Sequence, residues 1–419
     1  MERIYKYDVA VAGAGPAGLA AALAASRNGA QTVLIEKNGF CGGECASANV
    51  PAYCAFFDRQ DEPKHVAGGI ALEFLEELKK LGMYTGPMKT PGKNYAVPAD
   101  PETVKYVFDC MLEDEVDVML HTKLIAAERN GNFIHKLVCS DDEGIFSIEA
   151  SSYIDATGDA CLSYLGGAET VYGDVNGKTQ AAAMVMMLDG FDPEGNYSSA
   201  VLNNAVEQAE KDGIGPFSRR SGSLLRWLYD DCGTVSMVAL ELPSLAHENM
   251  TYAEQEGRKQ AQAYLKAFRK YVPGMENVRL ISTGCTLGIR ETRKIIGTET
   301  LKGSDVLNAV HRNDGIGRGC WPVERHSDIT KPAVFVYLPE KESYYDIPFG
   351  VIRSVNTENL FAAGRCVSAD PEAFASVRVA GTCFVTGQAA GTAAALYLKN
   401  EENLEKYVQE SLLRQGAIL

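Results

Sequence analysis

Apolar positions along the chain follow two rhythms. Residues 7–12, YDVAVA, form an apolar run of the kind carried by a strand buried on both faces. GAGPAGLAAALAASRNG then reads as a glycine-rich turn and an Ala-rich helix closed by Gly29. QTVLIE is a second strand, so residues 7–36 make one βαβ unit. Between about 62 and 82, EPKHVAGGIALEFLEELKKLG has amphipathic helical spacing and a glycine stop. From 116 to 157 the period changes to that of strands: VDVMLHT, KLIAAER, FIHKLVCS and GIFSIEASSYIDAT, split by turn residues such as Asn130-Gly131. This predicts an antiparallel meander that ends in a buried strand at 153–157. Residues from about 171 to 345 mix helical and strand patterns (TYAEQEGRKQAQAYLKAFRKYV, VSMVALELP, PAVFVYLP) and read as a separate lobe. ENLFAAG is a last buried strand, followed by the Ala/Gly-rich helix CFVTGQAAGTAAALYLKN.

The first unit carries a phosphate-binding signature. Gly13, Gly15 and Gly18 form G-x-G-x-x-G between strand and helix, with Pro16 and Ala17 at the helix start. The first glycine allows the tight turn, the second lets backbone approach a pyrophosphate, and the third lets helix and strand pack closely. The helix N-terminus adds unpaired N–H groups and partial positive charge. Glu36 ends the second strand, where a carboxylate can accept from both ribose hydroxyls and would repel a 2′-phosphate. NADP is therefore disfavoured.

Composition narrows the class. The hydrophobic share of 46% and charged share of 23% are those of a globular protein. A net charge of −15 argues against a nucleic-acid partner. No apolar run reaches the roughly 20 residues a membrane span needs. The N-terminus shows no signal-peptide pattern, so the expected location is cytoplasmic. Eleven scattered cysteines are read as reduced thiols, and no His/Cys/Asp grouping has metal-ligand spacing.

Two later segments choose the dinucleotide. YIDATGDA ends a strand in Thr157, Gly158 and Asp159, and NLFAAGRCVSADPEAF ends one in Gly364 and Arg365. With VAGAGPAGLAAALAA, CGGECASA, GIRETRKIIG, GCWPVERH, YYDIPFG and the closing LLRQGAIL, they make the chain resemble the FAD-dependent oxidoreductase family of the glutathione-reductase-like superfamily. The resemblance implies an α/β fold: a Rossmann-type FAD-binding domain at 1–170 and 345–400 with an antiparallel β-meander. A mixed α+β substrate or cap lobe would occupy 171–344, and a C-terminal helical tail 401–419. It implies FAD, with Glu36 and Lys37 near the ribose, and Gly42, Gly43 and Cys45 in a loop beside the ring. Thr157, Gly158 and Asp159 would join that cofactor site, and Gly364 and Arg365 would lie near the ribityl chain and pyrophosphate. A helix starting near Thr386 would point at the flavin, with Gly387 close to it or used for helix packing. Arg378, just before that helix, could meet the reduced ring or the substrate. Residues 185–280 carry no placeable motif.

The cysteines of EKNGFCGGECASANVPAYC pose a separate question. Disulfide reductases of the superfamily place two cysteines separated by four residues after the glycine pair; here Cys45 stands first but Val50 takes the second place, and Cys54 lies beyond Pro51. A cofactor loop is favoured over a redox pair, with Cys45 either a bystander or a flavin attachment point.

For the chemistry, histidine is the usual base at neutral pH. His326 in CWPVERH is the candidate, while His65, His121, His135, His247 and His311 lie in stretches read as solvated. Tyr345 and Asp346 fall where the chain re-enters the first domain. Arg290 and Arg293 flank Glu291, either as a fork for a carboxylate or polyol substrate or as an Arg–Glu lock between lobes. The leading expectation is an FAD-dependent dehydrogenase or oxidase acting on a small polar substrate at a hydroxyl- or amine-bearing carbon, with His326 as base, Arg290 as anchor and Tyr345 in the cleft. Alternatives are an ene-reductase of the fumarate-reductase type and a non-redox or RNA-modifying flavoprotein. DGIGRGC at 314–320 has glycines without a preceding apolar strand and is read as a surface loop, so no second nucleotide domain is expected. Expected partners are a small-molecule substrate and an electron donor or acceptor, with oxygen, quinone, carrier protein and diffusing NAD all open. No nucleic acid or membrane partner is expected, and a homo-oligomer stays open.

Overall fold

The N-terminal apolar run becomes β1 (Arg3–Ala12), whose last four residues are fully buried inside a seven-stranded mixed sheet. The computed structural model describes residues 3–90, 92–226, 231–340, 342–399 and 402–419. α1 (Pro16–Arg27) leads to β2 (Thr32–Ile35), parallel to β1 with Val9 opposite Thr32 and Ala12 opposite Ile35. The amphipathic segment forms α2 (Ile70–Lys80), shorter than expected because Gly69 at its N-cap has φ +55° and breaks the helical path. α3 (Pro101–Leu112) starts on Asp100, whose carboxylate accepts from the N–H groups of Glu102 and Thr103.

β3 (Asp117–Met119) was expected to open the meander; instead it lies parallel outside β2. The meander proper is β4 (Lys123–Asn130), β5 (Phe133–Asp141) and β6 (Gly144–Asp155). β6 runs parallel to β1 from Phe146 opposite Arg3 to Asp155 opposite Ala12. Its other edge is shared, with β5 on its first half and a strand from far later in the chain on its second.

The chain then leaves for a second sheet. β7 (Ala182–Asp189) lies between β8 (Cys232–Leu240) and β9 (Arg279–Ser282), with Leu224–Leu225 outside β8. α4 (Ser199–Lys211) and α5 (His247–Tyr271) cover it, closing a core of its own around Met184, Leu188, Val235, Tyr264 and Phe268. That second core ends with Leu287 and Ile289. Leu301, Val306, Ile316, Val323 and Leu338 belong to the first core, so the chain rejoins it long before residue 344, where the lobe was expected to close.

DGIGRGC is not a surface loop. It contains β10 (Gly315–Gly319), mostly buried; after β11 (Val323–Arg325) and β12 (Val334–Val336), β13 (Tyr345–Pro348) pairs antiparallel with β10. β14 (Leu360–Ala362) is the strand that completes the edge of β6. α6 (Ala380–Tyr397) is buried on nearly every side and lies against α1. A Cβ on Gly387 would fall 2.2 Å from the Ala17 carbonyl oxygen, and one on Gly391 2.0 Å from that of Ala21. α7 (Leu404–Arg414) packs back on α6, where Gln415 donates to Thr392 Oγ1 at 3.1 Å. Among the described residues no helix is long and apolar enough to cross a membrane.

Candidate active site

The glycine turn has the shape its sequence requires. Gly13 sits at φ +95°, and a Cβ on Gly18 would fall 1.7 Å from the Gly13 carbonyl oxygen, so neither position admits a side chain. Gly15 is the N-cap of α1, Pro16 follows, and no side chain caps the helix, which leaves its first N–H groups for an anion. Glu36, buried at the end of β2, braces this turn: Oε2 accepts from Ala14 N at 2.9 Å, and Oε1 from Asn38 N and Nδ2 at 2.9 and 2.8 Å. Each oxygen keeps acceptor capacity for a ribose hydroxyl. Lys37, next in sequence, is exposed. Gly42 N donates to Ala14 O at 2.8 Å, and the Gly43 backbone comes against Gly15. Cys45 follows in the short helical turn Glu44–Ser47.

The second predicted segment closes over the same region. Buried Asp155 accepts from Thr157 N and Oγ1 at 3.1 and 2.7 Å, which holds Thr157 as a turn brace. Arg365, past Gly364, lies across Gly158 and pairs with Glu44 Oε1 at 2.8 Å and Asp159 at 3.6 Å. Glu44 Oε1 also accepts from Ile289 N at 3.0 Å, so this carboxylate ties the glycine-rich cradle to the segment bearing Arg290. An open helix N-terminus, a buried strand-end acid and a cradle that excludes Cβ atoms fit a dinucleotide such as FAD. The helix expected near Thr386 begins at Ala380, so Thr386 lies inside it, accepting from Gly364 N at 3.0 Å. Gly387 faces α1, where it lets the two helices pack closely.

The cysteines are all free. Burial pushes the Cys45 and Cys54 thiols well above their ordinary range, which disfavours the thiolate that exchange chemistry needs.

The candidate base is oriented by a neighbour. His326 and Glu324 stand two apart at β11, and Nε2 lies 2.9 Å from Glu324 Oε1. Trp321 Nε1 donates to the other Glu324 oxygen at 2.8 Å. Burial alone would raise Glu324, but His326, Arg378 and Trp321 hold it down to about 2. Burial, then the charge of Arg290, pushes His326 down to about 4 against the pull of Glu324. The ring is therefore neutral near pH 7, donates from Nε2, and presents an unpartnered Nδ1 lone pair. The surrounding backbone is fixed: His326 N donates to Gln180 Oε1 at 3.2 Å, and Ala181 N to His326 O at 2.8 Å. Arg290 Nη1 donates to Ala181 O at 2.6 Å, and Arg378 Nη2 to Glu324 O at 3.3 Å.

Two expected members lie elsewhere. Tyr345 is fully buried and shares a hydrogen bond with Ser376 at 2.8 Å, a core contact that removes it from the cleft. Arg290 and Arg293 do not make one fork. Arg293 Nε donates to Asp159 O at 3.0 Å and its guanidinium stacks on Tyr164, while Glu291 pairs with buried Lys294 at 2.7 Å. Asp346 accepts from Arg312 N at 2.8 Å, as a turn acceptor. Glu324, Gln180 and Arg219 escaped the sequence reading. For Glu324 the signal was present, since a carboxylate two residues from a histidine on a strand shares its face.

The family model described as FAD dependent oxidoreductase matches residues 8–415. A curated relative, the digeranylgeranylglycerophospholipid reductase of Methanocaldococcus jannaschii, is 30% identical over 142 residues, covering 32% of this chain and 33% of that protein. The matched region thus spans about a third of the relative's length. Among solved structures, p-nitrophenol 4-monooxygenase from Pseudomonas putida is similar at TM-score 0.50 and 13% identity, over 99% of this chain and 84% of that one. A triple mutant of the flavin-dependent brominase Bmp2 is similar at TM-score 0.50 and 14% identity, over 97% and 85%. Both likenesses concern the fold alone. Matched over nearly its whole length and carrying the cradle such a cofactor needs, this chain belongs to the family of FAD dependent oxidoreductases, enzymes whose cofactor is FAD.

Proposed function

We propose that this enzyme oxidises a small polar substrate at a hydroxyl- or amine-bearing carbon, within the glutathione-reductase-like subclass of FAD-binding folds. The observation that carries the reading is the neutral His326 whose Nδ1 has no partner. FAD, when bound, accepts the two electrons and the hydrogen that leave the carbon. His326 Nδ1 takes the proton from the hydroxyl or amine, Glu324 then faces an imidazolium and stabilises it, and Arg290 holds the substrate's polar end. The turn from Gly13 to Gly18, with Glu36, Gly42, Gly43, Gly364 and Arg365, would hold the cofactor. The protein would work as a cytoplasmic enzyme, its electron partner drawn from oxygen, a quinone, a carrier protein or NAD.

The test is anaerobic reduction of the flavin band by a panel of hydroxy acids, amino acids and polyols. Bleaching by a member of the panel, slowed in His326→Ala, supports the reading; an oxidised flavin throughout, with prompt bleaching by NADH, overturns its direction. A second reading has its own support. Burial, then the charge of Arg378, lowers Arg290 to about 10, and an arginine eased toward releasing its proton suits an ene-reductase. The archaeal relative, a reductase by name, accords with that direction.

A further inference from the structure

We propose that the cleft takes a small substrate bearing two negative charges, gripped by Arg219, Arg290 and Arg378. This deepens the function proposed above and rests on its placing of the substrate beside His326.

Each of the three arginines comes from a different segment, and among the described residues none has a carboxylate within salt-bridge distance. Arg290 donates to a carbonyl, Ala181 O at 2.6 Å. Arg378 donates to another, Glu324 O at 3.3 Å, and its Nε has no partner. Arg219 is 7% exposed, and its Nε too has no partner. Its backbone is anchored beside β8: Arg219 N donates to Tyr264 Oη at 3.0 Å, and the preceding Ser218 Oγ accepts from Ala239 N at 2.9 Å. Ala239 pairs across the sheet with Ala183, two residues past the carbonyl that Arg290 holds. Arg378 and Arg219 both weaken the hold of Arg290 on its proton, as neighbouring cations do.

A buried guanidinium without an acid is costly, and this chain has acids to spare at a net charge of −15. Three carboxylates act on the cluster: Glu324 on Arg290 and Arg378, Glu44 on Arg290, and Asp328 on Arg219. Glu44 is already paired with Arg365 at 2.8 Å and Asp328 with Lys331 at 3.0 Å, which leaves Glu324 as the one of the three without a cation of its own. With His326 neutral, three cations against one carboxylate leave two positive charges without an answer. Guanidinium forks suit carboxylate and phosphate oxygens. Gln180 Nε2 and His326 Nδ1, both unpartnered, add a neutral donor and an acceptor to the same wall. A monoanion would leave one charge buried and unmatched; a dianion neutralises the cluster. Two carboxylates on a short chain and a single phosphoryl group share this chemistry.

The experiment titrates FAD-loaded enzyme with succinate, inorganic phosphate and butyrate at fixed ionic strength, reading the flavin difference spectrum and the melting temperature. Binding of succinate or phosphate at least about tenfold tighter than butyrate is expected, and Arg219→Gln should remove about that preference while flavin content stays. Succinate above phosphate assigns two carboxylates, and the reverse order one phosphoryl group. Equal affinity for all three, or binding of none, overturns the proposal. If Arg219→Gln does not fold, Arg378→Gln and the wild-type panel decide. Dianion binding with no hydroxy or amino dianion reducing the flavin sinks the oxidation reading and leaves the anion site standing. Reduction by a monoanionic hydroxy acid with no dianion preference does the opposite.

Discussion

His326 Nε2 lies 2.9 Å from Glu324 Oε1, while Nδ1 of the same ring has no partner. Because Glu324 is held ionised, the ring proton belongs on Nε2 and the free lone pair on Nδ1. A carboxylate that selects the tautomer and then faces the imidazolium is the arrangement a general base needs.

Replacing that base should separate chemistry from cofactor binding. His326→Ala is expected to keep FAD while slowing flavin reduction by substrate about 10²-fold or more in anaerobic stopped flow. Full-rate reduction with normal flavin content would remove His326 from the mechanism.

Acidity gives an independent signature. The base works unprotonated, and His326 is pushed from the ordinary 6.5 down to about 4 by burial and Arg290. The acid limb of kcat/KM should therefore appear near pH 4, not near 6.5, with the rate level between. Stability carries the same sign: between those values the unfolded chain binds the proton and the folded one does not. The His326 contribution is full above pH 6.5 and is lost as pH falls toward about 4, which urea midpoints across that window would reveal.

Lys294 and Glu291 form a buried pair, 1% and 3% exposed, with Lys294 also donating to Gly173 O at 3.1 Å. Glu291 Oε2 accepts from Gln180 N at 3.2 Å, so the pair holds the backbone at Gln180, whose side chain in turn accepts from His326 N. Lys294→Met should cost about 3–5 kcal/mol by denaturant unfolding, since it leaves a buried carboxylate uncompensated. A loss below about 1 kcal/mol would mean the charge is relieved by water.

Gly15→Glu should purify without flavin and fail to take up added FAD, because its carboxylate would enter the path of the pyrophosphate. Gly387→Leu should fail differently, by a lowered melting temperature, since Gly387 contacts Ala17 of α1. Equal flavin loss at equal stability in both would place Gly387 at the cofactor after all.

Cys45→Ser should leave activity near wild type, and thiol titration of unfolded protein should find Cys45 and Cys54 both reduced. A flavin that stays with the chain through denaturation, and is freed by Cys45→Ser, would instead mark a covalent link.

The βαβ unit, the glycine turn, Glu36 and the strand ending in Gly364 were legible in the sequence because each is local: period, turn chemistry and a strand-end acid lie within about forty residues. His326 could be nominated on residue type, but its protonation state could not, since that depends on burial and on Arg290 and Glu324 meeting in space. The parting of Arg290 from Arg293 was equally out of reach, since the partner each would take, Ala181 or Asp159, is set by distant chain. Tyr345 looked placed for the cleft and became core because β13 pairs with a glycine strand that sequence pattern read as loop. Arg219 sat in the one region without a motif, and only the pairing of β7 with β8 brings it toward the base. Local pattern decides where strands, helices and phosphate turns form; which charges share one buried wall is decided by packing, because Coulomb and desolvation energies depend on separation in space and not along the chain.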